Sequence, residues 1–323
     1  MDKKRALIFT SAVVFWVLSA WLSLSMGAAG LTLGQLWQTG AANTIFWLVR
    51  LPRTAACLLA GGALAVSGGV IQSVLHNKLA SPGIIGVNAG AGLAVTICCA
   101  LGCYGGWAVA GSAFVGAMTA ALLVMGLAEK TGASRSTVIL CGVAVNALLN
   151  ACAEGIAKLI PEVAMYSVDF RVGGFGAISH VRLIPAGILI IIALIAVLTL
   201  CNDLDLLSLG AETAQSLGMN VKWMRMLFLM LAAMLAGAAV SFAGLLGFAG
   251  LIVPHAVRSL VGAENRFVLP LCALGGGCLV TLCDLACRLM FAPYELPVGI
   301  GMSVLGCPFF LMLLLKEKGG CHA

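Results

Sequence analysis

The chain has 323 residues, 62% of them hydrophobic and only 9% charged, with 18 Lys and Arg against 12 Asp and Glu for a net charge of +6. Ordinary soluble domains are roughly 45–50% apolar and about 25% charged, so a mean hydropathy of +1.10 excludes a soluble enzyme, a disordered chain and a secreted disulfide scaffold. At roughly 20 apolar residues per span the composition sets a ceiling near ten spans, and continuous apolar runs make these helices rather than the alternating strands of a barrel.

Residues 1–5 are basic and 6–27 form an uninterrupted apolar run. Signal-peptide cores take about 7–15 residues, so this longer run is expected to be a retained first span. Residues 28–53, with Trp37, Trp47, Arg50 and Arg53, read as an interfacial segment outside the hydrocarbon core. Further spans are expected at 54–75, 85–104, 107–127, 137–160, 183–201, 268–288 and 296–315. Residues 223–257 carry one charge, Arg225, and are too long for one upright span; Gly237, Gly244, Gly247, Gly250 and Pro254 predict a full span followed by a short or discontinuous helix. The expectation is therefore an all-α polytopic membrane protein of about ten transmembrane helices, a single domain over 1–323.

Sidedness follows from the basic residues. With the N-terminus inside, the cytoplasmic side carries most of them, and the far side keeps Arg50, Arg53, Lys158, Arg171, Arg182 and Arg288. The positive-inside bias then puts both termini in the cytoplasm. The longest hydrophilic stretch on that side, 202–222, has Leu206, Leu209, Thr213 and Leu217 at helical spacing, which predicts two short helices around Gly210 and Gly218.

The chemistry of the chain is defined by what it lacks. There is no GxxxxGK[ST] phosphate loop and no Gly-Lys dipeptide, so any ATP must be hydrolysed by a partner. There is no HExxH, no CxxC, and no intramembrane catalytic cluster that a membrane enzyme would need. The 13 cysteines sit singly in apolar runs as small filler; Cys283 and Cys287, two thiols without a histidine partner, make a poor metal site. His255 reads as a packing or capping residue. An ion-coupled secondary transporter acting without an ATPase is the competing reading, and it would require ionisable groups within the bilayer. The candidates are Glu154 and Asp284, each followed four residues later by a base, Lys158 and Arg288, an arrangement that predicts neutralised i,i+4 pairs at the interface. Glycines at small-residue spacings, including Gly61/Gly62, Gly68/Gly69, Gly86 with Gly90 and Gly102 with Gly106, predict close helix packing rather than a ligand site.

Four segments carry a family resemblance: Arg50-Leu-Pro-Arg53 through Ser67-Gly68 and Gln72 to Asn77-Lys78-Leu-Ala-Ser-Pro82 and Gly86-Val-Asn-Ala-Gly90; Leu209-Gly210 to Ser216-Leu-Gly218; Gly247-Phe-Ala-Gly-Leu-Ile-Val-Pro-His255 with Arg258; and Glu295-Leu-Pro-Val-Gly299 with Gly306-Cys-Pro-Phe-Phe310. In order and spacing they resemble the permease subunits of binding-protein-dependent ABC importers for ferric siderophores, haem and cobalamin. Lys78, His76 and Ala249 stand where that family usually has Pro, Arg and Val.

The resemblance implies a cobalamin-importer-like permease fold without catalytic residues, metal or cofactor of its own, ATP and Mg being bound by the partner ATPase. It implies a bacterial inner-membrane assembly of a second permease copy, most simply a homodimer, two ATP-binding subunits and an extracytoplasmic substrate-binding protein, surrounded by membrane lipid and without nucleic acid. Residue by residue, it implies that Arg50, Arg53 and Arg288 meet carboxylates of the binding protein, a task suited to bidentate guanidinium pairing. It also implies that the stretch of about 203–220 couples to the ATPase through Leu209, Gly210, Glu212, Ala214, Leu217 and Gly218.

Overall fold

The computed structural model describes residues 3–26, 41–131, 135–176, 178, 180–290 and 294–319. The first span is α1 (Lys3–Ser25); α2 (Ala41–Ile45) runs through a π-turn (Phe46–Arg50) directly into α3 (Leu51–Leu75). A 3-10 turn (Pro82–Ile85) leads to α4 (Val87–Ala100), and α5 (Gly106–Lys130), α6 (Arg135–Leu159) and the short α7 (Pro161–Val172) follow. Next come α8 (His180–Thr199), α9 (Cys201–Ser208), α10 (Ala211–Ser216), α11 (Val221–Ala243), α12 (Ala249–Val261), α13 (Asn265–Met290) and α14 (Val298–Gly319).

Six of these helices, counting 43–75 as one, are long and apolar enough to cross a bilayer; α8 reaches that length only together with α9, from which it is bent by 59°, and α4, α12 and the apolar part of α14 are shorter apolar helices. Among the described residues this makes ten apolar helices, as the composition anticipates. Only helices satisfy all their own backbone groups in lipid, which is why the apolar runs and the helices coincide.

The second span departs from expectation. Residues 28–53 were expected to be interfacial; of these, 28–40 lie outside the described residues, but Asn43–Leu75 is a single apolar span of 33 residues, mostly buried. Ile45 to Val49 continue the helix, and Pro52 follows directly on the π-turn Phe46–Arg50, where the regular i→i−4 hydrogen-bond pattern is already interrupted. The third span, α4, is shorter than expected, 14 residues, because Gly102 takes a positive φ just beyond its end. No Cβ contact would arise at Gly102, so that glycine terminates a helix rather than packing one.

Helix α3 is the axis of the fold and is buried along almost its whole length. Its small residues allow this. A Cβ at Gly61 would overlap the Gly276 carbonyl of α13, one at Gly62 would meet the Ala273 carbonyl, and one at Gly68 would overlap Gly250 of α12. Gly90 of α4 and Gly116 of α5 make the same kind of backbone contact. Lipid tails are as apolar as leucine, so close van der Waals approach of backbones replaces the hydrophobic effect as the force joining helices.

Between α11 and α12 the helix breaks where the sequence suggests, with Gly244 at φ +70° and Phe248 at φ 64°, a left-handed conformation uncommon for a bulky side chain. Broken backbone inside a membrane protein must find partners within the protein. Leu245 donates its N–H to the Phe170 carbonyl (2.9 Å), Gly174 to Ala243 (2.9 Å) and Gly299 to Gly173 (3.2 Å). The ends of α7 and α11 and the start of α14 are thereby stitched together. The 12-residue α7 was not anticipated.

Replacing Gly276 with Ala is expected to separate α3 from α13 and destabilise the protein by about 1–3 kcal/mol. Gly92→Ala, at a helical position with nothing within 4 Å of the added Cβ, should be neutral. Thermal unfolding of the detergent-solubilised variants distinguishes them; equal midpoints would contradict the packing account.

Candidate functional site

The polar side chains collect at the two ends of α3. At its N-terminal end stand Arg50 and Arg53, and α13 brings Asp284 and Arg288 alongside. Arg53 donates from Nη2 to Asp284 Oδ1 (2.9 Å) and from Nε to Oδ2 (3.1 Å), a bidentate pair, and from Nη1 to Glu295 Oε2 (2.6 Å). Arg288 Nε approaches Asp284 Oδ2 at 3.0 Å, the i,i+4 pair read from the sequence, and its Nη2 donates to Ser23 Oγ (3.0 Å), which in turn lies 2.9 Å from Thr54 Oγ1. Arg50 Nη1 donates to the carbonyls of Leu24 and Ser25 at the end of α1 (2.9 and 3.1 Å).

The three arginines expected to dock a binding protein are thus brought together, but in a buried cluster: Arg50 is 4% exposed, Arg53 7% and Arg288 4%. The Asp284 pair was expected at the interface as a local neutralisation; instead its carboxylate is buried and shared between two guanidiniums, one from each of two helices. Burying a lone carboxylate costs several kcal/mol, and two charge-assisted pairs offset that cost. Three guanidiniums face two carboxylates, so the cluster keeps an excess positive charge. Glu295, missed as a partner by sequence reasoning, is the one acid of the cluster whose side chain is half open to solvent, at 42%. Cys283 and Cys287 lie against Gly301 of α14, which has no room for a Cβ beside their sulfurs.

At the other end of α3, α9 and α10 form a hairpin. Gly210 (φ +116°) breaks it and Gly218 (φ +85°) ends it, matching the two expected short helices. Leu209 and Leu217 are exposed, at 62% and 61%, while Ala214 is buried and Glu212 faces solvent. The root of the hairpin is tied down. Asp205 Oδ1 accepts both the backbone N–H and the Nδ2 of Asn265 (2.9 and 2.8 Å), capping α13, and the His76 ring donates from Nε2 to the Ser208 carbonyl (2.7 Å). Behind them Arg258 Nη2 donates to the Gly69 carbonyl (3.0 Å) and to Ser73 Oγ (2.8 Å), and Ser73 Oγ lies 3.0 Å from Asn265 Oδ1. Nearby, the Arg5 guanidinium hydrogen-bonds Glu264 (2.8 Å) and holds its carboxyl below the usual range. Beneath α10 lies a cavity of about 680 Å³, with Leu122, Met125 and Leu229 in its wall and Lys222 and Glu129 paired at its side.

A third polar feature runs along α6. Asn146, Asn150 and Glu154 recur every fourth residue; Asn150 and Glu154 are exposed, and Asn146 donates from Nδ2 to the Gly83 carbonyl (2.7 Å). Glu154 faces Arg171 of α7 at 4.0 Å rather than Lys158, because α7 folds back beside α6. The expected Glu154–Lys158 pair is not the contact formed. The i,i+4,i+8 spacing of these residues was a signal in the sequence. His255 packs edge-on against Phe309, its ring 6.3 Å away.

A model of the FecCD transport family matches residues 14–316. The hemin transport system permease protein HmuU of Yersinia pestis is 36% identical over 320 residues, covering 95% of this chain and 94% of its own. The vitamin B12 import system permease protein BtuC of Shigella boydii is 34% identical over 312 residues, covering 94% of each. A solved ABC transporter in an inward-facing conformation superposes with a TM-score of 0.88 at 28% identity, over 96% of this chain and 99% of that one.

Asp284→Asn would leave Arg53 and Arg288 without their shared carboxylate. The expected loss is about 3–5 kcal/mol, read as a markedly lower unfolding midpoint in detergent. Glu295→Gln, at the half-exposed partner, should cost no more than about 1 kcal/mol; equal losses would show that the buried carboxylate is not the centre of the cluster.

Proposed function

The chain belongs to the FecCD transport family, and from that premise we propose that it carries an iron complex, haem foremost, into a bacterial cytoplasm as one of two identical permease subunits driven by ATPase partners. The chain is a multi-pass membrane permease subunit of an ABC importer of the iron-chelate, haem and vitamin B12 type. The hemin relative supports haem as cargo; a corrinoid, carried by the B12 relative, is the second reading.

The observation that carries the mechanism is the separation of polar features along α3. The arginine end receives the external binding protein through the excess positive charge of Arg50, Arg53 and Arg288. The hairpin end receives the ATPase: Leu209 and Leu217 stand out into solvent on either side of buried Ala214 and offer an apolar contact, while Gly210 and Gly218 let the short helices turn and Glu212 faces outward. Both termini lie in the cytoplasm on this reading. Exposed Asn150 and Glu154 on α6 would be costly against lipid tails, so this face lines the path between the two copies. The secondary-transporter alternative is disfavoured, since membership in an ABC importer family supplies the energy source from outside the chain.

Replacing both Leu209 and Leu217 with Asp is expected to abolish copurification of the ATPase subunit while leaving the unfolding midpoint of the permease unchanged, because both side chains are exposed. Full retention of the ATPase would defeat the assignment of the hairpin.

A further inference from the structure

The buried arginines raise a specific difficulty for docking, and its resolution lies in Glu295. Arg53 has both donors of its Nε/Nη2 edge engaged by Asp284, which is 1% exposed and also held by Arg288. Its remaining direction, Nη1, is filled by Glu295 at 2.6 Å. A carboxylate arriving from outside cannot reach the Asp284 side without opening the cluster. It can reach Nη1, because Glu295 is the partner on the solvent side.

We propose that Glu295 is an internal stand-in for the docking carboxylate: an acidic side chain of the external partner takes over Arg53 Nη1 while the Glu295 side chain swings into solvent. The inference rests on the docking reading above and goes beyond it by naming the contact that is exchanged. The backbone around Glu295 does not need to follow. Four residues on, the chain is anchored at Gly299, whose N–H donates to the Gly173 carbonyl at 3.2 Å and where an added Cβ would overlap the Val172 carbonyl. Only rotations about the side-chain bonds of a half-exposed glutamate are required.

Exchange differs physically from new pairing. The partner's carboxylate replaces an ion pair of the same kind, so the net gain is small and the complex dissociates readily, whereas an unoccupied guanidinium would hold it longer. It also keeps Arg53 paired in the absence of the partner, which spares the cost of leaving a mostly buried cation half satisfied. A surface that must release its partner in every cycle is suited by such a competitor. The partner that fits is acidic, with a carboxylate projecting from its contact face; a basic or purely apolar face would leave Glu295 in place.

The test compares docking of the purified substrate-binding protein of the same transport system to the permease–ATPase complex in nanodiscs, with wild type, Glu295→Gln, Glu295→Asp and Arg53→Gln. Removing the competing charge should tighten docking by about three- to tenfold at low ionic strength, mainly through slower dissociation, and the gain should shrink as salt is added. Glu295→Asp, which keeps the charge, should dock much like wild type, and Arg53→Gln should dock more weakly than either. A Glu295 that merely repelled the acidic partner from a distance would change the association rate instead of the dissociation rate. If Glu295→Gln docks equally well or worse while Arg53→Gln is weakened, the exchange is wrong and the docking site stands. If Arg53→Gln docks as wild type, the docking reading itself fails.

Discussion

Everything in this molecule is hung on a helix that can be buried on all sides. In the bilayer no hydrophobic gain accompanies helix association, and a 25-residue helix enclosed by its neighbours must be held by close packing and by interhelical polar bonds. The glycines of α3 supply that packing by letting the carbonyl of Gly276 and the backbone at Gly250 approach where any side chain would stand between them. At about 1.5 Å per residue α3 is close to 40 Å long. It therefore reaches from one polar end of the protein to the other.

That geometry links the two ends mechanically. Arg53 near the start of α3 is locked to α13 through Asp284, and Ser73 near its end is locked to the same helix through Asn265 and to α12 through Arg258. The hairpin of α9 and α10 joins this unit at Asp205 and at the Ser208 carbonyl, so its root moves with α3 and α13. By contrast α10 lies over a cavity that α11 also lines. A short helix with a fixed root and an undercut tip can pass the closure of a partner into the bundle as a rigid displacement.

The apolar runs made the spans legible, since a helix is the form in which a long apolar segment satisfies its backbone in lipid. The break at Gly244 and the hairpin between Gly210 and Gly218 were legible for the same local reason: glycine permits the positive φ found at these positions. What stayed hidden was decided at long range. Arg50 and Arg53, following Trp37 and Trp47, pointed to an interfacial segment; in the folded chain Asp284, 231 residues from Arg53, pairs with Arg53, while Arg50 is met by the carbonyls of Leu24 and Ser25. Glu154 meets Arg171 only because α7 folds back, and α7 itself, 12 residues with polar and apolar side chains mixed, has no long apolar run to announce it. The role of Glu295 is invisible in a motif that shows only an acid before Leu-Pro.

The account makes this chain a conduit that does no work on its own. Uptake of labelled haem into proteoliposomes decides the matter most directly. With the ATPase subunits inside the vesicles together with ATP and Mg, and the binding protein outside, haem should accumulate against its gradient, and the permease alone under an imposed proton or sodium gradient should accumulate none. Concentrative uptake by the permease alone, driven by either ion gradient, would contradict the account.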